Sequence, residues 1–132
     1  MSDPKQARVL LEAAERDASA LRGMGDPAVF ADEIFGFHVQ QAAEKLFKAW
    51  LALLGETYPL SHDLASLLDM LRTRGADIAR FDDLVDYTRY AVRLRYAGAD
   101  PGVHPLDRDN AVGQVEALLE GVRRRLTEAE ED

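Results

Sequence analysis

An all-α fold, an antiparallel up-and-down bundle of about five helices, is what this chain predicts, on three observations. Residues 34–55 carry an apolar helical face about twice the usual width. Four further segments repeat apolar residues at three- and four-residue spacing. No run rich in Val, Ile and Thr alternates at period two, so no strand is expected.

Helix one opens at Asp3-Pro4, which supply a cap and a first-turn proline. Ala7, Leu10, Leu11, Ala14, Ala18 and Leu21 follow at helical spacing, and Gly23 marks the end. Asp26-Pro27 is expected to open the central helix, which runs to Gly55, a natural C-terminal cap. On a wheel of about 100° per residue its apolar residues, from Phe35 and Val39 to Trp50 and Leu54, fill an arc of roughly 200°. The remaining arc holds His38, Gln41, Glu44, Lys45 and Lys48, stacked on one side. Gly36 inside this helix is a mild cost and a candidate point of close packing.

Ser61-His62-Asp63 offers caps for helix three, whose spine is Leu64, Leu67, Leu68 and Leu71 and which ends at Gly75. Helix four starts after Arg80, with Phe81, Leu84, Val85, Thr88, Ala91, Val92 and Arg95 read as a three-four rhythm. It stops in the Ala97-Gly98-Ala99-Asp100-Pro101-Gly102 loop signal. Helix five takes Pro105 to about Arg125 on the stripe Val112, Val115, Leu119, Val122 and Leu126, and the acidic tail over 127–132 is expected to be flexible.

A chain of 132 residues fits one domain with a real core. It has no cysteine, which removes disulfides, Cys-ligated metal centres and a thiol nucleophile. The first residues lack the basic-then-apolar layout of a signal peptide, and no apolar run approaches the ~20 residues that span a bilayer. A soluble, cytoplasmic protein without membrane contact is expected. The net charge of −8 argues against general nucleic-acid binding, which rests on Lys and Arg. Three histidines without ligand spacing suggest no metal site. There is no Ser-centred nucleophile motif and no phosphate loop, and no cofactor is expected.

Phe37-His38-Val39-Gln40-Gln41-Ala42-Ala43-Glu44-Lys45 resembles the FHxQQAAEKxLKA helix of the prokaryotic HEPN family. Tyr58-Pro59, Ser61-His62-Asp63-Leu64, residues 87–91 and Arg95-Tyr96 match it in order, although Ala97 stands where the family often has Pro. The resemblance covers roughly residues 9–126 and implies one HEPN-like helical domain over 1–132. It further implies a homodimer and a partner among MNT-type nucleotidyltransferases, in a toxin–antitoxin-like pair. Some members of the family are metal-independent ribonucleases with an Arg and a His separated by four to six intervening residues. Here His38 and His62 lack such an Arg, and Arg95 and His104 have eight residues between them, among them Gly98, Pro101 and Gly102. The usual ribonuclease motif is therefore missing, and an enzyme is not the first expectation.

Two sets of residues are candidates for binding. His38, Gln41, Lys45 and Lys48 form the polar seam of the central helix. The seam reads as a groove for a phosphate or partner helix, as a dimer seam, or as a solvated face with a Glu44–Lys48 pair. Arg89, Arg93, Arg95 and Tyr96, with Tyr87 and Tyr90, form a basic and aromatic cluster able to hold a nucleotide phosphate and stack its base. Against that stand core tyrosines, and arginines paired with Asp83 and Asp86. His62-Asp63 reads as a helix cap before it reads as an acid–base pair.

Three functions follow in order. The first is a homodimeric assembly module with a nucleotidyltransferase partner, which predicts an apolar, uncovered helix face and no cleavage of RNA. The second is a nucleotide-binding module using the Arg/Tyr cluster of helix four and Lys45 or Lys48. The third is a ribonuclease with an atypical Arg95/His104 pair acting on RNA.

Overall fold

The computed structural model describes residues 2–91 and 106–131. Among them the chain forms an all-α bundle: α1 (Pro4–Arg22), α2 (Asp32–Leu53), α3 (Leu64–Thr73), a long 3-10 helix (Ala79–Tyr90) and α4 (Arg108–Glu131). Among the described residues there is no strand and no helix long and apolar enough to cross a membrane.

The caps behave as the residue types dictate. Asp3 accepts the Gln6 N–H at the start of α1, and Asp63 accepts the Ala65 N–H at the start of α3. Gly55 and Gly75 take left-handed backbone, φ 78° and 81°, just past the ends of α2 and α3. There Glu56 N–H reaches back to Leu51 O and Ala76 N–H to Leu71 O, satisfying carbonyls the helices leave open.

Three boundaries differ from expectation. Asp26-Pro27 does not open α2; residues 26–30 form a turn closed by Phe30 N–H on Asp26 O, and α2 begins at Asp32. Arg108 holds this turn: its guanidinium takes the carbonyls of Met24 and Phe30, and the Ile34 N–H that a helix running on from Asp26 would give to Phe30 O goes to Ala31 O instead. The fourth element is a 3-10 helix within the described residues, not an α-helix in a three-four rhythm. Its buried residues Phe81, Leu84, Tyr87 and Tyr90 are spaced by three throughout, which makes a single stripe only at three residues per turn. Finally, α4 passes Arg125 and takes the acidic residues up to Glu131 into its last turns, where Glu130 pairs with Arg8 at the start of α1.

α1 runs antiparallel to α2, since Asp3 N–H meets Ala52 O at one end and Asp17 meets His38 at the other. It is antiparallel to α4 as well, with Arg8 on Glu130 and Arg22 on Glu116. α2 packs against all four other helices. Phe35, Val39, Leu46, Phe47 and Leu51 are fully buried on it, which accounts for the width of its apolar arc. The uncovered apolar helix face that an assembly module predicts is not found among the described residues. The large apolar side chains left exposed there are scattered: Val9, Val29, Ile34 and Leu60.

The connector over 54–63 does not simply leave α2. It returns along it, so that His62 comes to rest beside Gln40 and Glu44. This return creates the most polar place in the core.

Candidate functional site

The polar seam of α2 is organised by two carboxylates, one on each flank. On the α1 flank, Asp17 accepts from His38 Nδ1 at 3.1 Å through Oδ1 and from Lys45 Nζ at 2.6 Å through Oδ2. His38 and Lys45 lie two helical turns apart on one face, so a single carboxylate bridges them. All three side chains are largely withdrawn from solvent.

On the other flank, Glu44 is the centre. Its Oε1 accepts from Gln40 Nε2 at 2.8 Å and from His62 Nδ1 at 2.8 Å; its Oε2 accepts from Lys48 Nζ at 2.9 Å. Gln40 Nε2 also reaches the His62 carbonyl at 3.3 Å, and Gln41 donates to Gln40 Oε1 at 2.7 Å. Lys48 lies 5.7 Å from the ring of Tyr58, whose hydroxyl accepts from Gln6 of α1 at 3.2 Å. The Glu44 and Lys48 side chains are each 10% exposed, whereas that of His62 is 61% exposed. Burial alone would raise the Glu44 carboxyl. The bonds from Lys48, His62 and Gln40 outweigh it and hold the group below its ordinary value.

The third locus is the end of the 3-10 helix. Tyr87 and Tyr90 pack with centroids 5.8 Å apart, and exposed Arg89 lies over the Tyr90 ring at 5.2 Å. Burial pushes the Tyr87 hydroxyl up to about 12, with Tyr90 and Asp107 adding to the shift, so it stays neutral. Tyr90 closes on the backbone of α2 at Gly36. Leu64 N–H donates to Thr88 Oγ1 at 3.1 Å, which seats the start of α3 against this end. Thr88 thus joins the 3-10 helix to the connector that carries His62.

The expected site residues therefore divide. His38, Lys45 and Lys48 are held by carboxylates, Gln41 braces Gln40, and Arg89 stacks on an aromatic ring. Arg93, Arg95, Tyr96 and His104 lie outside the described residues. The residues flanking that segment are placed: Tyr90 sits on Gly36, and the Arg108 guanidinium lies 4.8 Å from the Phe35 ring. Both flanks meet one turn of α2.

Sequence reasoning named neither Asp17 nor the bond between His62 and Glu44. Asp17 stands three residues after Ala14 and four before Leu21, inside the apolar stripe of α1, where a carboxylate must find donors. That was a readable signal. His62 had none, because its partner is set by the return of the connector. Asp63 does cap α3, and Asp83 accepts from Gln114.

Chemically, the Glu44 cluster is a carboxylate-oriented imidazole above a buried ion pair. With the carboxylate ionised and able only to accept, the hydrogen on this contact belongs to His62 Nδ1. The other ring nitrogen, Nε2, then serves as an acceptor, or as a donor when the ring is charged.

The profile of the HEPN domain family matches residues 5–126. Searches of curated proteins and of solved structures return no match.

Proposed function

The chain belongs to the HEPN domain family, and we propose that it serves as a binding and assembly module. In this reading it is a homodimer working with an MNT-type nucleotidyltransferase in a toxin–antitoxin-like pair, with nucleotide binding at its Arg89 face.

The observation that supports this most is the engagement of the α2 seam. Asp17 holds His38 and Lys45, and Glu44 holds Lys48 and His62. Side chains committed in this way brace the bundle and fix its outer shape, as a scaffold for partners requires. Arg89, exposed and stacked on Tyr90, is a cation of the kind that reads phosphate.

The test has two arms. Light scattering on the purified protein should give twice the chain mass, and a co-expressed MNT-type nucleotidyltransferase should co-elute with it. RNA incubated with the protein without metal should remain intact. Cleavage that is abolished by Arg95→Ala overturns the reading in favour of a ribonuclease using Arg95 and His104. A monomer that ignores such a partner also overturns it.

A further inference from the structure

We propose that Ala79–Tyr90 is a two-state switch. The 3-10 helix is its closed form, latched by the Tyr90 ring against Gly36 of α2. An α-helix over the same residues is its open form, in which Tyr90 leaves α2. The inference goes beyond the function proposed above and does not depend on it.

The closed form is costly. A 3-10 helix of 12 residues is long for its kind, since runs beyond three or four residues are uncommon and their hydrogen bonds are poorly aligned. The three-residue bond spacing holds at both ends, from Phe81 N–H to Ile78 O and from Ala91 N–H to Thr88 O. A second cost lies beside it. Gln114 of α4 donates to Asp83 at a long 3.3 Å, and its Oε1 is buried with no partner among the described residues. What offsets these costs is the burial of Phe81, Leu84, Tyr87 and Tyr90 in one row, which ends with the Tyr90 ring in the space that glycine leaves at position 36.

The same residues carry a second row. At about 100° per residue, Phe81, Leu84, Val85, Thr88 and Ala91 fall within an arc of about 120°, the stripe of an ordinary amphipathic helix. Val85, only half-buried beside the core in the closed form, joins that stripe. Neither glycine nor proline interrupts residues 79–90, so nothing in the chain itself bars an α-helix. Thr88 lies at the middle of the arc, and the bond it accepts from Leu64 N–H is the pivot of the change. The rise falls from about 2.0 to about 1.5 Å per residue, which shortens the element by about 6 Å and draws its end back along α2.

The balance between the forms rests on one contact. Phe81 and Leu84 belong to both rows, and Tyr87 moves only to the flank of the second. Tyr90 alone changes face, standing about 180° from Phe81 in the open form. The pairing of its ring with the bare backbone of Gly36 is therefore the latch. Opening uncovers α2 at Gly36 and turns the Tyr90 ring to solvent, so the switch controls access to this turn of the central helix. A ligand or partner that contacts the uncovered turn shifts the population toward the open form.

Nuclear magnetic resonance on the full chain tests this. A 3-10 helix brings the Hα of residue i close to the amide hydrogen of i+2, and an α-helix brings it close to that of i+4. The wild type should show the i,i+2 set over residues 79–90, with relaxation dispersion at these amides reporting a minor form of about 1–10%. Gly36→Ala blocks the seat of Tyr90, and Tyr90→Ala removes the latch without adding an atom to α2. Each should replace the i,i+2 set with the i,i+4 set, and the second variant carries the test if overpacking at Gly36 unfolds the bundle. Val85→Asn burdens the open stripe more than the closed row, so in the Tyr90→Ala background it should bring the i,i+2 set back. Retention of the i,i+2 set in Tyr90→Ala overturns the inference, because the ring is then no latch. Loss of both sets in that variant overturns it too, since the unlatched segment would have no second fold. A wild type without dispersion at these amides would show that the native chain has one form only, which also overturns it.

Discussion

The ring of Tyr90 occupies the space that a side chain at Gly36 would need: a Cβ built there would lie 2.5–2.7 Å from three of its ring carbons. Glycine at this point of α2 is therefore a packing requirement, and it is what seats the end of the 3-10 helix on the central helix. Gly36→Ala should destabilise the protein by about 1–3 kcal/mol, the usual range for overpacking, although alanine is the better helix former by about 1 kcal/mol. Urea unfolding followed by the emission of Trp50, the only tryptophan and almost fully buried, measures it. In a Tyr90→Ala background the obstacle is gone and the same change should become stabilising. An identical effect in both backgrounds would show that the two residues do not compete for this space.

The Glu44 cluster makes a prediction in acid. A carboxyl held below its ordinary value of 4.5 stabilises the fold at neutral pH, and the contribution disappears as pH falls through the lowered value. Glu44→Gln should cost about 3–5 kcal/mol at pH 7, because it strands the Lys48 ammonium in the core. It should also flatten the loss of stability below pH 4.5 relative to the wild type. Replacing both partners, Glu44→Leu with Lys48→Met, should recover most of the stability, since no charge is then left buried alone. A double variant as weak as Glu44→Gln would refute this account of the pair.

How much of this was readable beforehand depends on what each residue answers to. The stripe of α1, the Asp63 cap and the leucines of α3 follow from local spacing, and they fold as spacing dictates. The 3-10 helix was also written in the chain, as Phe81, Leu84, Tyr87 and Tyr90 at strict intervals of three, but α-helical periods absorb such a stripe when Val85 and Thr88 are counted with it. The start of α2 and the pairing of His62 were not local. The first is decided by Arg108, 76 residues beyond Asp32, and the second by a connector that doubles back. A family resemblance located the seam of α2 but could not say which carboxylates its cations would meet.

At the alkaline end the sign reverses. A tyrosine pushed up to about 12 keeps its proton in the folded state when the unfolded chain, near 10.0, has lost it. The folded state then binds more protons, so stability falls as pH rises through the interval between those values. Tyr87→Phe should remove that part of the alkaline loss. Ultraviolet titration should show a tyrosine ionisation near pH 12 in the wild type that is missing in the variant. A wild-type titration identical to that of Tyr87→Phe in this late range would contradict the burial of this hydroxyl.

Arg108 gives the sharpest contrast between charge and shape. Its guanidinium donates to Met24 O at 2.8 Å, to Phe30 O at 2.7 Å and to the Asp32 carboxylate at 2.8 Å, and lies over the Phe35 ring. If the carboxylate is what holds this arginine, Asp32→Ala should be as harmful as losing the arginine itself. The geometry argues otherwise, because Asp32 is half in water whereas Arg108 is buried. Exposed ion pairs contribute about 0–1 kcal/mol, and a buried carbonyl left without a donor costs about 1–3 kcal/mol. Arg108→Lys keeps the charge but offers no planar fork to span two carbonyls and a ring. We therefore expect Arg108→Lys to cost about 2 kcal/mol or more and Asp32→Ala less than about 1 kcal/mol. The same order should appear in hydrogen exchange: Phe30 N–H, bonded to Asp26 O in the turn that Arg108 anchors, should lose protection in the lysine variant and keep it in Asp32→Ala. The opposite ranking would mean that the ion pair, and not the capture of the loop carbonyls, sets the start of the central helix.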